Sequence, residues 1–135
     1  MIPMMKRRAM SGLVSVAALL AGCPAQATDH AWPVVRGRAL ADAFTGQDFG
    51  DGVHYAYQFL PSGELRGVDM GEPTRGRWRV TASQLCWRWT YAAGQEECYQ
   101  VRKQEHHVRL FANSREMLAG TLTPLNANGS IEVKP

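Results

Sequence analysis

The sequence predicts an all-β fold: a small antiparallel meander curled into a barrel or half-barrel of lipocalin-like shape, with one short N-terminal helix. From Val53 onward, apolar and polar residues alternate with the period of two that is typical of half-buried strands. The alternating segments are short, recur about every ten residues and are separated by turn residues, as in a meander. Curling such a sheet removes the unpaired edges that a flat sheet would expose.

The first residues of the chain predict a bacterial secretory signal. Lys6, Arg7 and Arg8 form a charged region, and the apolar run from Leu13 to Leu20 follows it. This run is shorter than the roughly 20 residues that a membrane-spanning helix needs. We therefore expect export rather than a transmembrane helix.

Two cleavage sites fit the end of this signal. Leu20-Ala21-Gly22-Cys23 resembles a bacterial lipobox, which implies that residues 1–22 are the signal peptide and that a diacylated Cys23 becomes the mature N-terminus. Alternatively, Ala25-Gln26-Ala27 is a site for ordinary signal peptidase, with cleavage after residue 27. The lipobox predicts a periplasmic lipoprotein anchored in the outer membrane, because Pro24 replaces the Asp of an inner-membrane retention signal. The alternative predicts a soluble periplasmic or secreted protein.

The charge of the mature chain argues against nucleic acid as a partner. The precursor has 15 basic and 12 acidic residues. Three of the basic residues lie in the signal, which contains no acid, so 12 remain on each side and the net charge becomes zero. A general nucleic-acid binder carries a net positive domain.

The cysteines predict a disulfide. Once Cys23 is lipidated or removed, Cys86 and Cys98 remain as an even pair in an oxidising compartment. The sequence has no C-x-x-C or C-x-x-C-H motif, so it predicts neither thioredoxin-like chemistry nor haem attachment. The adjacent His106 and His107 would point to opposite faces of a strand, which disfavours a shared metal. We expect no cofactor.

The mature chain is organised as a tether followed by one domain. Residues 23–33 form the expected tether, and residues 34–135 form a single β domain. The segment from Val34 to Phe44 has apolar residues near one helical face, which predicts a short helix centred on residues 38–44. Residues 45–52 contain several glycines and predict a loop. The expected strands are 53–59, 64–70, 74–80, 84–90, 96–103, 107–111 and 116–123, with a short last one at 131–133.

The cysteine pair also predicts the register of one hairpin. If Cys86 faces Cys98, then Leu85 lies opposite Tyr99, and Arg88 lies opposite Glu96 as a cross-strand ion pair. Gly94 is then available for a positive φ in the loop. One hairpin face is apolar, and the other carries the cysteines and the charges.

An aromatic stripe on the inner face leaves two alternatives open. The rings either fill a small barrel completely or surround a cavity for one apolar ligand. We expect Trp78, Trp87 and Tyr99 to be among the most buried residues. The candidate ligand-binding residues are Tyr55, Tyr57, Trp78, Trp87, Trp89 and Tyr99.

An arginine row occupies the opposite face of the predicted strands. The favoured interpretation is a solvated face whose arginines pair with nearby acids. If the arginines are unpaired, they form a cationic stripe that could bind anionic envelope polymers or lipid headgroups. The arginines are Arg75, Arg77, Arg79, Arg88, Arg102 and Arg109, and the acids are Glu64, Glu72, Glu96 and Glu97.

Four motifs resemble a family of small uncharacterised proteobacterial envelope proteins. They are 63-GELRG-67, 76-GRWRV-80, 85-LCWRW-89 and 97-ECYQVR-102. The resemblance implies a strand, a glycine-containing hairpin, a G-x-W strand and a Cys-bridged hairpin, and it implies no catalytic residues. The signal, disulfide and barrel are also similar to those of envelope inhibitors of secreted proteases.

These observations predict a non-catalytic binding or structural module of the cell envelope rather than an enzyme. The sequence lacks G-x-S-x-G, H-E-x-x-H and a phosphate-binding glycine loop. The expected partners are the membrane, through Cys23, and an envelope protein or a small apolar ligand. A less favoured enzyme hypothesis needs an acid–base group to converge from Asp48, Asp51, His54, Asp69 and Glu72.

Overall fold

A computed structural model describes Gly22 and residues 32–125 of the chain. Several predictions concern residues outside this described part. They are the signal peptide apart from Gly22, the lipidation expected at Cys23, most of the tether, and the strand expected at 131–133. None of the described helices has the length and apolar character needed to cross a membrane. The described elements are β1 (Val34–Val35), α1 (Gly37–Phe44), β2 (Gln47–Gly50), β3 (Tyr55–Phe59), β4 (Glu64–Asp69), β5 (Glu72–Val80), β6 (Leu85–Trp89), β7 (Glu97–Gln104), β8 (His107–Ala112) and β9 (Arg115–Pro124).

Eight of the strands form a closed antiparallel barrel, which confirms the predicted fold class. The hydrogen-bonded order runs β7-β6-β5-β4-β3-β2-β9-β8, and β8 pairs back with β7. β1 pairs with the second half of β7, at Val34↔Arg102 and Val35↔Val101, where β7 has passed the end of β6. Closure leaves no long unpaired edge in the barrel.

The predicted N-terminal helix is confirmed, at Gly37–Phe44 against the expected residues 38–44. Val34 and Val35 are a short strand rather than helix, and α1 begins at Gly37, whose N–H donates to the Ala82 carbonyl 3.1 Å away. Leu40 and Phe44 recur at helical spacing and are completely buried. The Phe44 ring lies 4.9 Å from that of Phe59 and 6.3 Å from that of Phe49. α1 therefore closes one end of the barrel.

The loop predicted for residues 45–52 is wrong at its centre. Gln47–Gly50 is β2, which pairs with β3 on one side and with β9 on the other. Its inward Phe49 is completely buried. Conversely, Val53, expected at the start of a strand, is 82% exposed in the loop before β3. The glycines that predicted a loop flank a strand of four residues, too short to show a clear alternation.

The predicted hairpin register is confirmed where the two strands pair. Cys86 and Cys98 are bonded, and Leu85 lies opposite Tyr99. Gly94 has the expected positive φ, +87°. The predicted Arg88–Glu96 pair is wrong: pairing ends at Trp87↔Glu97, and Glu96 instead accepts two hydrogen bonds from Arg79 of β5, at 2.9 and 2.5 Å.

Aromatic rings dominate the barrel interior. Trp87 and Tyr99 are buried as predicted, whereas Trp78 is only half-buried. Trp87 lies 4.8 Å from Tyr99 between ring centroids, and Tyr57 lies 5.0 Å from Trp89. Gly76, the glycine of the G-x-W motif, faces inward beside Trp89, where an added Cβ would overlap the carbonyl oxygen of Arg88. The motif therefore reflects close packing inside the barrel.

Candidate functional site

The two ends of the barrel differ in what covers them. α1 closes the end where β2, β4, β6 and β8 begin. The four loops at the opposite end are β2–β3, β4–β5, β6–β7 and β8–β9, because the strands alternate in direction. In the part of the chain that the structure describes, no α-helix covers this second end, and its β6–β7 loop contains one 3-10 turn, Thr90–Ala92. We call it the mouth, defined by residues 51–54, 70–71, 90–96 and 113–114 and the inward side chains beside them.

Exposed apolar side chains are concentrated at the mouth. Among residues 32–125, four large hydrophobic residues are at least half exposed: Val53 (82%), Met70 (72%) and Tyr91 (71%) lie in three mouth loops, and Met117 (50%) lies in β9, three residues after the fourth. Met70 also has a positive φ of 49°, a conformation that is unfavourable for its side chain. Apolar residues that cluster at one place on a surface mark an interaction site more often than scattered ones do.

Two carboxylates at inward strand positions lie at this rim, of which Asp69 is half-buried and Glu97 is exposed. Asp69 accepts a hydrogen bond from the Tyr57 hydroxyl at 2.7 Å. One oxygen of Glu97, Oε2, accepts from Trp87 Nε1 at 2.9 Å and from the Tyr99 hydroxyl at 3.2 Å. Within the described residues, the other oxygen of each carboxylate makes no hydrogen bond. The mouth thus presents negative charge and open acceptors above a layer of rings.

All four tyrosines of the sequence lie at the mouth and remain protonated at neutral pH. Burial raises the pKa of Tyr57, and the adjacent Asp69 carboxylate raises it further. Burial and then Glu97 raise the pKa of Tyr99 in the same way. The pKa of Tyr91 is also raised, by burial and by the charges of Asp69 and Glu97. These phenols therefore act as hydrogen-bond donors.

The rings below the rim support one another. Tyr55 stacks on Tyr57, with 5.2 Å between ring centroids, and its hydroxyl donates to the Ala119 carbonyl at 2.5 Å. Tyr91 lies parallel to Trp89 at 6.2 Å and extends this layer into solvent. The Thr74 hydroxyl, on the inner face of β5, is buried and has no hydrogen-bond partner among the described residues. The aromatic layer thus reaches from the core to the exposed rim.

The structure brings together five of the six predicted ligand-binding residues. Tyr55, Tyr57, Trp87, Trp89 and Tyr99 lie in the mouth half of the barrel and contact one another. Trp78 does not join them: its Nε1 donates to the Leu60 carbonyl at 2.9 Å, and its ring packs on Phe59. These ring contacts support the filled interior rather than the apolar cavity.

Sequence reasoning did not assign Asp69, Thr74, Tyr91 or Glu97 to the binding site. A signal for two of them exists: Asp69 shares the inward parity of Leu65 and Gly67, and Glu97 shares that of Tyr99 and Val101. A carboxylate at an inward position of a strand is costly unless it is hydrogen-bonded, so it deviates from the expected pattern.

The acid–base candidates do not form one group. Asp51 binds His54 Nδ1 at 2.6 Å, and its Oδ1 accepts the N–H groups of Val53, His54 and Tyr55. Desolvation raises the pKa of Asp51, but these hydrogen bonds together outweigh it and hold the pKa well below its usual value. The Asp51 carboxylate therefore orders the β2–β3 loop. Asp48 lies on the outer side of β2, where burial raises its pKa, and Asp69 belongs to the mouth.

The arginine row is paired only in part. Glu64 binds Arg66 at 2.9 Å, Glu96 binds Arg79, and Glu116 lies 3.8 Å from Arg109, which also covers the Trp32 ring at 4.4 Å. Between residues 32 and 125, no carboxylate lies within ion-pair distance of Arg75, Arg77 or Arg88. Glu96 also approaches Cys86 and Cys98, but bonded cysteines offer no thiolate to a metal.

The comparisons with known proteins return no match. No family model, curated protein or solved structure is similar to this chain.

Proposed function

We propose that the protein is a rigid, non-catalytic binding module of the bacterial cell envelope, and that its mouth holds a partner protein through a basic side chain. The observation that carries this proposal is the gathering of the exposed hydrophobic residues around two inward carboxylates at one end of the barrel. An apolar, aromatic-rich surface with a few polar groups is typical of protein interfaces.

The chemistry of the mouth favours an arginine or lysine of the partner. The open oxygens of Asp69 and Glu97 would accept charge-assisted hydrogen bonds from a cation. The exposed Tyr91 ring, backed by Trp89, offers a face to the same cation. An uncharged apolar ligand would use neither carboxylate and would have to displace the packed rings.

The location in the envelope is part of this proposal. The signal-like N-terminus and the lipobox ending at Cys23 support a lipoprotein of the periplasm, held at the outer membrane. The Cys86–Cys98 disulfide supports an oxidising compartment. The closed barrel and this disulfide keep the mouth in a fixed shape, which reduces the entropy lost on binding.

Site-specific photo-crosslinking in intact cells tests the proposal. A photo-reactive residue at position 91 or 117 should give a discrete protein adduct, and the same residue at position 39 or 83, both exposed at the closed end, should not. The adduct from position 117 should disappear in the Glu97→Gln variant, which changes charge but little volume. Equal adducts from both ends, or adducts unaffected by Glu97→Gln, would contradict a mouth-directed partner.

A further inference from the structure

The outer face of β4, β5 and β6 places like charges directly opposite one another. Arg66 faces Arg75 across β4 and β5, and Arg77 faces Arg88 across β5 and β6. Directly opposed like charges destabilise a sheet. Two such pairs on adjacent strands are a cost that folding does not explain.

The nearby acids offset only part of this charge. Glu64 accepts two hydrogen bonds from Arg66, and Glu96 accepts two from Arg79. The Arg77 guanidinium donates only to the neutral Ser62 carbonyl, at 3.2 Å. We call Arg75, Arg77 and Arg88 the arginine face; all three side chains are exposed. Within the described part of the chain, no carboxylate lies within ion-pair distance of them, although Glu64 lies opposite Arg77 across β4 and β5, and Glu96 offsets part of the charge of Arg88 from farther away.

The arrangement of these charges selects among anions. Alternate residues of a strand lie about 7 Å apart, and Arg77 lies opposite Arg88, so Arg75, Arg77 and Arg88 form one continuous patch on the barrel wall. A groove of about 570 Å³ runs beside them and is open to solvent, and Arg77, Arg79, Arg88 and Glu96 line it. A surface of repeated phosphates can contact all three guanidinium groups at the same time.

We propose that the arginine face lies against a membrane surface rich in anionic phospholipid headgroups. Each guanidinium group would bind a headgroup phosphate in a bidentate manner, which relieves the repulsion between Arg77 and Arg88. This contact does not depend on the mouth, which lies at the end of the barrel rather than on its wall. It would supply a second membrane contact beside a lipid on Cys23.

Vesicle binding of the exported Cys23→Ser protein tests the inference without a lipid anchor. The vesicles contain phosphatidylcholine alone or mixed with one-third phosphatidylglycerol. The variant Arg77→Gln/Arg88→Gln is compared with Arg36→Gln/Arg115→Gln, which removes the same charge from exposed positions elsewhere. The first variant should bind the anionic vesicles roughly thirtyfold more weakly, because each arginine near an anionic surface contributes about 1 kcal/mol. The second should change binding less than twofold, and neither protein should bind neutral vesicles.

Three outcomes would overturn the proposal: equal losses in both double variants, equal binding to neutral vesicles, or displacement by inorganic phosphate at constant ionic strength. The last result would indicate a site for single anions instead. Misfolding is controlled by thermal melting: Arg77→Gln/Arg88→Gln removes both charges of an opposed pair, so it should leave the melting temperature unchanged or raise it.

Discussion

At the scale of single residues, Asp69 and Glu97 stand where the strand alternation calls for apolar side chains. Burying part of a carboxylate costs free energy, and the donors on Tyr57, Trp87 and Tyr99 offset that cost. The same hydrogen bonds fix the direction of each carboxylate. The oxygens left open therefore face a place that a partner's cation can reach.

Titration of the tyrosines tests this electrostatic arrangement. Asp69→Asn should lower the pKa of Tyr57, because the charge and the hydrogen bond that raise it are lost or weakened. It should leave Tyr99 unchanged, since Glu97 acts on that phenol. Glu97→Gln should do the reverse, as measured by NMR of each tyrosine ring during alkaline titration. An unchanged Tyr57 in Asp69→Asn would contradict the coupling.

The pH dependence of stability follows from the same shifts. The pKa of Tyr57 and of Tyr99 is higher in the folded protein than its usual value of 10.0. The folded state therefore binds these protons more tightly than the unfolded state does. Their contribution to the free energy of unfolding is complete below pH 10.0 and is lost as the pH rises through the folded-state values. Urea unfolding at increasing alkaline pH should show this decline, and a smaller one in Asp69→Asn.

At the scale of elements, the sequence predicted those strands whose two faces differ in polarity. The hairpin of β6 and β7 could be aligned residue by residue, because Cys86, Cys98 and the apolar face fix one register. The strand β2 was missed, because its four residues offer one apolar inward side chain, Phe49. The prediction that Glu96 pairs with Arg88 was wrong for a similar reason. Its partner, Arg79, belongs to a third strand, β5, and the sequence of the β6–β7 hairpin alone does not show which residues of β5 lie beside it.

The disulfide and the ion pair beside it should differ in their effect on stability. Replacing Cys86 and Cys98 by alanine should lower the free energy of unfolding by about 2–3 kcal/mol, since the bond closes a short loop in the unfolded chain. Arg79→Gln, which removes the exposed pair with Glu96, should change it far less. Urea denaturation of both variants measures the difference. A larger loss in Arg79→Gln would contradict this assignment.

The helix α1 should stabilise the barrel mainly through its buried face. Phe44→Ala should lower the free energy of unfolding by about 3–5 kcal/mol, because it leaves a cavity between Phe49 and Phe59. Arg38→Ala, on the exposed face of the same helix, serves as the control and should have little effect. Chemical denaturation compares the two. Similar losses would indicate that α1 does not plug the barrel.

At the scale of the whole molecule, the mouth and one wall of the barrel carry charges of opposite sign. Asp69 and Glu97 lie at the mouth, and the arginine face lies on the wall formed by β4, β5 and β6, where Glu64 and Glu96 offset part of its charge. The sequence does not predict this separation of charges. Asp69 and Arg75 are close in the sequence, and they lie on different surfaces only because the strands curl into a barrel. Fold class was therefore predictable, whereas the mouth was not.

The mouth should distinguish charge in a peptide ligand. A short arginine-bearing peptide should change the tryptophan fluorescence saturably, because Trp87 and Trp89 lie beneath the site. The same peptide with citrulline, which is neutral and nearly the same shape, should bind at least about tenfold more weakly, given the strength of charge-assisted hydrogen bonds. Tyr91→Ser should weaken binding of the arginine peptide without altering the melting temperature, since Tyr91 is 71% exposed. Equal affinity for both peptides would contradict cation recognition.

The strand β2, which joins β3 to β9 in the closed barrel, has a consequence for how the chain folds. Most strands pair with their neighbour in sequence, so their hairpins close small loops and form early. β2 instead needs β9, and its pairs include Gln47↔Pro124, at nearly opposite limits of the described chain. The barrel therefore cannot close until almost all of the chain has been synthesised. Until then β2 and β9 stay as open edges, and the β2–β9 ladder is the seam where amide hydrogen exchange should begin.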